Sequence, residues 1–163
     1  MQKGSRGAGA GLFGRLGRRE EGEREVSRAD DEWQETLTPE QYRVLRKRGT
    51  EAPFSNETVV PDADGLYRCA ACDAALFHAD TKFDSGTGWP SFTEPAVADA
   101  VTLRRDFGLG MIRREVRCRR CGGHLGHVFG DGPGGAPRYC INSCALDHDP
   151  RRDPPTPGAA GGR

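Results

Sequence analysis

The alternation of apolar and polar positions divides the middle of the chain into short segments and leaves both ends without a period. In "TPEQYRVLRKRGT", Thr38 stands at a helix N-cap, Pro39 at the first helical position and Gln41 three residues after the cap. That order lets the Thr hydroxyl and the Gln side chain satisfy each other's backbone N–H groups. Tyr42 and Leu45, flanked by Val44 and Arg46, make one apolar stripe, and Gly49 is placed to end a helix of two or three turns. Downstream the period changes. "LYRC", "AVTLRR", "GMIRREVRC", "HLGHVF" and "RYCINS" are apolar or alternating runs broken by Gly, Pro, Asp and Asn. They predict short antiparallel strands. If "RYCIN" is extended, Arg138, Cys140 and Asn142 share one face and Tyr139 and Ile141 the other.

Composition narrows the class. Apolar residues make up 35% of 163, and 23 Gly with 11 Pro favour turns, so one modest core that needs a staple is expected. Lys plus Arg equals Asp plus Glu at 24 each, which provides no basic field for nucleic acid. No apolar run approaches the roughly 20 residues that span a bilayer, and Met1 to Arg19 lacks a signal-type apolar stretch. The expectation is a cytoplasmic monomer that binds neither nucleic acid nor membrane. In that setting cysteines serve metals or catalysis more often than disulfides. Residues 1–29 and 150–163, rich in Gly and charge or in Pro, read as disordered extensions around a domain over 30–149.

Four of the six cysteines form two pairs, Cys69 with Cys72 in "CAAC" and Cys118 with Cys121 in "CRRC". Each pair can turn two thiolates onto one metal, and four thiolates close a tetrahedral zinc site with no open position. One structural Zn2+ is therefore expected, tying distant turns together. A redox C-x-x-C would open a helix within a βαβ unit, and neither pair sits in one. Arg119 and Arg120 suggest a nucleic-acid zinc ribbon, which the neutral net charge does not support.

Cys140 and Cys144 remain. Around them lie "SGTGWPSF", "GHLGHVFGDGP" and "RYCINS", dense in residue types that rarely collect for packing alone. With "EWQETLTPEQYRVLRKRGTEAPFS" and "CAACDAALF", these motifs resemble the methionine-R-sulfoxide reductase B (MsrB) family in its zinc-containing form, over roughly residues 32–147. The resemblance implies a mainly β fold, a β-tent of two antiparallel sheets with short N-terminal helices. It also implies reduction of methionine-R-sulfoxide, in oxidised proteins or free. Cys140 then matches the nucleophile, His127 and Asn142 match polar groups at the reacting sulfoxide, and Trp89 matches the wall that holds the substrate methyl. Arg138, two residues before Cys140, can favour its thiolate, and Arg138 and His124 join Trp89 on the substrate side. Taken alone, Trp89 before Pro90 reads as a packed aromatic, the histidines as hydrogen-bonded structural residues and Asp131 in "GDGP" as a turn residue. His78 and His148 read as surface residues.

One position departs from the family pattern. Many members carry a second, resolving thiol where this chain has Thr87. Cys144 is the available substitute, but four residues along a strand span about 13 Å, and a disulfide needs Cα atoms within about 7 Å. A Cys140 sulfenic acid reduced directly by a thioredoxin-type protein or a small thiol is therefore expected.

Overall fold

The computed structural model describes residues 24–55 and 64–150. Most of the two expected extensions lie outside these residues. Residues 24–29 lie along the second cysteine turn, where the Val26 N–H donates to the Arg120 carbonyl (3.0 Å).

Two short helices come first. Asp30–Thr36 (α1) opens with Asp30, Asp31 and Glu32, acidic residues that suit a helix N-terminus, and it buries Trp33. Pro39–Leu45 (α2) starts as its sequence predicts. Thr38 Oγ1 accepts from the Gln41 N–H (3.2 Å), and Gln41 Oε1 accepts from the Thr38 N–H (3.0 Å). Its end differs from the expectation. The helix caps at Arg46, and Arg48 takes the left-handed conformation (φ 58°) foreseen for a glycine. Gly49 serves a different need: its N–H donates to the Arg43 carbonyl at 2.9 Å, and a Cβ there would meet that same oxygen at 2.9 Å.

The rest is β-structure in two antiparallel sheets. Leu66–Cys69 (β1), Ala75–His78 (β2) and Leu146–Asp149 (β9) form a three-stranded sheet in the order β2-β1-β9. Lys82–Phe83 (β3), Ser91–Phe92 (β4), Val101–Asp106 (β5), Arg113–Cys118 (β6), His124–Phe129 (β7) and Arg138–Ile141 (β8) form the second, ordered β3-β4-β8-β7-β6-β5. The core lies between them. Phe77 from the first sheet stacks on Phe92 from the second (centroids 4.4 Å apart), and Leu76, Leu125, Val116 and Ile141 are buried around the pair. Such a stack adds to the burial of both rings.

Five strands fall where alternation predicts them. β9, "LDHD", does not read as a strand, because three of its four residues are polar; it pairs with β1 over a four-residue antiparallel register, and Arg68 Nε donates to Asp149 Oδ2 at 2.8 Å. β3 and β4 have two residues each, too short for a period of two to register.

Candidate active site

Topology assembles the site. β8, late in the chain, inserts between β4 and β7, so Cys140 is directly opposite Ser91 on one side and His127 on the other, and His127 is opposite Glu115. Opposed residues of neighbouring strands put their side chains on one face. Ser91, Cys140, His127 and Glu115 thus form a row across four strands. β7 approaches β8 closely beside it, where a Cβ on Gly126 would sit 2.0 Å from the Cys140 carbonyl oxygen.

A solvent-open cavity of about 120 Å³ lies over this row. Trp89, His127, Cys140 and Asn142 line it together, with Thr50, Arg113, Gly126, Phe129 and Ile141 completing the wall. Trp89 is anchored by its indole N–H, which donates to the Glu51 carbonyl (3.2 Å). Asn142 lies just past the end of β8, and its amide is committed to backbone. Oδ1 accepts from the Glu51 N–H (3.0 Å), and Nδ2 donates to the Leu125 carbonyl (2.9 Å). The buried Glu51 carboxylate then caps the next turn. It accepts from the Ser143 N–H, from the Ser143 hydroxyl (2.7 Å) and from the Cys144 N–H (3.1 Å). Nothing local in the sequence marks Glu51, whose partners lie some ninety residues away.

Opposing influences act on Cys140. Burial pushes the thiol above its ordinary 9.0, while the Arg138 charge and a side-chain hydrogen bond from Thr87 favour the thiolate. Arg138 is held in place rather than free to reach into the cavity. Its Nε and Nη2 donate to Asp131 Oδ1 (2.9 Å) and Oδ2 (3.2 Å), and its guanidinium lies over Phe129. Asp131, a turn residue by sequence, is thus the fork that orients Arg138.

His127 Nε2 meets Asp106 Oδ2 at 2.8 Å. The bond to His127, then the Gly108 N–H (2.9 Å) and the charges of Arg113 and Arg48, hold the Asp106 carboxyl at about 2 instead of 3.8. An ionised Asp106 assigns the proton of neutral His127 to Nε2 and leaves Nδ1 as the other ring nitrogen. Burial lowers the His127 pKa, and the bond to Asp106 works against that. His124, expected on the substrate side, does not line the cavity. It is buried, its Nδ1 2.7 Å from Glu115 Oε1. Burial would raise Glu115, but His124 and Arg117 outweigh it and hold it at about 2.

Asp106, Arg113 and Glu115 are therefore part of the site although no motif named them. A signal was present: by parity Arg113 and Glu115 of "RREVRC" share a face. Arg113 lines the cavity, and its Nη2 donates to Asp106 Oδ2 at 3.1 Å.

The four paired cysteines converge elsewhere. Their sulfurs lie within 4.8 Å of one another, Cys69 to Cys121 at 3.8 Å and Cys72 to Cys118 at 3.5 Å. A tetrahedron of thiolates about 2.3 Å from a metal has edges of about 3.8 Å, so the cluster fits a metal ion. The two turns repeat one design. In each, the N–H of the first Cys donates to the carbonyl five residues on (Ala74, Gly123), and its own carbonyl accepts from the N–H four residues on (Asp73, Gly122). Asp73 and Gly122 both have positive φ (64° and 71°). Glycine meets that demand at no steric cost, and aspartate tolerates it.

Cys144 follows Asn142 in a single 3-10 turn, Ser143–Ala145, and does not line the cavity. Burial, then the negative charge of Glu51, pushes its thiol up to about 12.

The sequence matches one family. A SelR domain model matches residues 37–150. Proteins named peptide methionine sulfoxide reductase MsrB resemble the chain over most of their length. The one from Agrobacterium fabrum is 55% identical over 126 residues, covering 77% of this chain and 93% of that protein. That from Leifsonia xyli is 54% identical over 132 residues (79% and 94%), and that from Methanosarcina barkeri 54% over 125 residues (75% and 87%). The chain belongs to the MsrB family.

Proposed function

We propose that the domain over 30–149 reduces methionine-R-sulfoxide, in oxidised proteins or as the free amino acid, with Cys140 as nucleophile. The observation that carries this reading is the convergence of Cys140, His127, Trp89 and Asn142 on one open cavity.

The Cys140 thiolate attacks the sulfoxide sulfur while the oxygen is protonated. An S–S bond forms as the S–O bond breaks and the protonated oxygen leaves as water. Water then attacks Cys140 Sγ, the S–S bond breaks with its electron pair going to the substrate sulfur, and methionine leaves with Cys140 oxidised by two electrons to a sulfenic acid. Trp89, anchored through its indole N–H, forms the apolar wall for the methyl group. His127 holds its Nε2 proton on Asp106 and, when doubly protonated, has a proton on Nδ1 for the oxygen. Arg113, whose buried Nε has no hydrogen-bond partner among the described residues, places positive charge where the oxygen gains negative charge. Asn142 positions the end of β8 through its two backbone bonds.

Thr87 leaves no thiol at the position where many family members resolve the intermediate, and Cys144 is suppressed as a thiolate by burial and Glu51. An external thiol, from a thioredoxin-type protein or a small molecule, therefore attacks the sulfenic acid and releases water. A second thiol frees Cys140 as an external disulfide forms. The metal is one structural zinc on Cys69, Cys72, Cys118 and Cys121, which supplies stability and leaves no position open for substrate. The protein works as a cytoplasmic monomer.

Separated R and S epimers, each given for a single turnover and followed by mass spectrometry of Cys140, test the reading. The expected result is R-specific conversion with a sulfenic acid or thiol adduct on Cys140, and none in Cys140→Ser. Activity retained in that variant rejects Cys140 as nucleophile. A dominant Cys140 to Cys144 disulfide rejects the external route.

A further inference from the structure

Two hydroxyls of the loop between β3 and β4 and one at the start of β4 pack against one another beside Cys140. Ser91, on β4, is buried and directly opposite Cys140 in the sheet. Its Oγ lies 2.8 Å from Ser85 Oγ, and Ser85 Oγ lies 2.7 Å from Thr87 Oγ1. The loop is built to hold them. Asp84 Oδ1 accepts from the Gly86 N–H (2.8 Å), and Gly86 and Gly88 take positive φ (72° and 86°). The Gly88 carbonyl accepts from the Phe54 N–H (2.8 Å), and a Cβ on Gly88 would strike the Phe54 ring at 2.7 Å. The Ile141 N–H bonds the Pro90 carbonyl (2.9 Å), tying the end of the loop to the strand that carries the nucleophile.

Each hydroxyl has one proton to give. Ser91 Oγ lies 2.8 Å from Ser85 Oγ and 3.2 Å from the Trp89 carbonyl; along the shorter contact Ser91 donates to Ser85, which leaves the Ser85 proton for Thr87 and the Thr87 proton for Cys140. We propose that Ser91, Ser85 and Thr87 form a directional chain of hydroxyl donors ending on Cys140, with Thr87 a catalytic residue and Ser85 and Ser91 positioning residues. This rests on Cys140 being the reactive thiol, as proposed above. A thiolate is the strongest acceptor available to such a chain, and donors in series polarise one another. The Thr87 side chain thereby does more than vacate a resolving position: it stabilises the anion that attacks the sulfoxide. The side-chain hydrogen bond from Thr87 and the Arg138 charge act in the same direction, against burial.

The test is the pH dependence of Cys140 alkylation by iodoacetamide in the zinc-loaded full chain, read on the Cys140 peptide by mass spectrometry. Thr87→Val, nearly isosteric, is expected to move the profile to higher pH and slow alkylation at neutral pH about tenfold. Thr87→Ser restores it. Ser85→Ala and Ser91→Ala shift it in the same direction by less, about two- to threefold, because they act through Thr87. Ser85 lies on a half-exposed loop, so Ser85→Ala carries the test if Thr87→Val fails to fold. Coincident profiles for the wild type and Thr87→Val, or for Ser85→Ala in its place, overturn the chain. Reductase activity surviving in Cys140→Ser would instead overturn the assignment of the nucleophile while leaving the alkylation profiles readable, so the two failures are distinguishable.

Discussion

Burial holds the Cys140 thiol above its ordinary range, and the Arg138 charge and the Thr87 hydroxyl oppose that shift without reversing it. The buried network beside it carries a pH signature. Asp106 and Glu115 are both held at about 2, below their ordinary 3.8 and 4.5. Carboxyls whose pKa falls on folding stabilise the fold fully above the ordinary range, and that stability is lost as pH drops toward the folded values. The melting temperature should therefore hold from neutral pH down to about pH 5 and fall between about pH 4 and 2. In Asp106→Asn or Glu115→Gln that fall should be shallower. An acid limb of unchanged slope in both variants would contradict the ionisation states on which the His127 tautomer rests. At this scale sequence reasoning, through the family resemblance, named Cys140, Trp89, His127 and Asn142 as candidates, and the four line one cavity. It missed Asp106, Arg113 and Glu115 because charged residues on a strand read first as a solvated face.

Between elements, the decisive contact is the approach of β7 to β8. Gly126 lies opposite Ile141, and any side chain there meets backbone, which cannot swing aside as a flexible side chain can. Gly126→Ala should cost about 1–3 kcal/mol, as overpacking does, and should separate His127 from Cys140 enough to lower reductase turnover at least tenfold. Urea denaturation and steady-state kinetics on one preparation would show both effects, and an unaffected variant would contradict the close pairing. In "HLGHVF" this glycine interrupts an apolar run, which signals a close backbone approach but does not say to what. The start of α2 was legible down to its cap because N-capping is chemistry among residues three apart. Its end was not, since Arg48 adopts left-handed backbone while its side chain pairs with Asp106 and Glu115 far along the chain.

Across the whole molecule, the four-cysteine cluster joins the two sheets. One pair lies on the β1–β2 turn of the smaller sheet and the other on the β6–β7 turn of the larger. A metal there closes the open end of a small core, so its binding energy becomes folding energy. Cys118→Ser should lose the bound zinc, about one per chain in the wild type, and unfold with reduced cooperativity. Elemental analysis with near-UV circular dichroism checks this, and stoichiometric metal surviving the substitution would argue against the clamp. No helix among the described residues is long and apolar enough to cross a membrane.

The sequence by itself determined what local chemistry can encode. That includes the capped helix, five alternating strands, two matched cysteine turns and the separation of two thiols from four candidate ligands. Only the tertiary structure decided which residues meet. Strand order and register are set by contacts between segments far apart in the chain, and a strand's own pattern names its buried face but not its neighbour. The insertion of β8 between β4 and β7 is such a decision. It puts Cys140 between Ser91 and His127, commits the Asn142 amide to backbone, and sends Cys144 past the strand end to the Glu51 carboxylate.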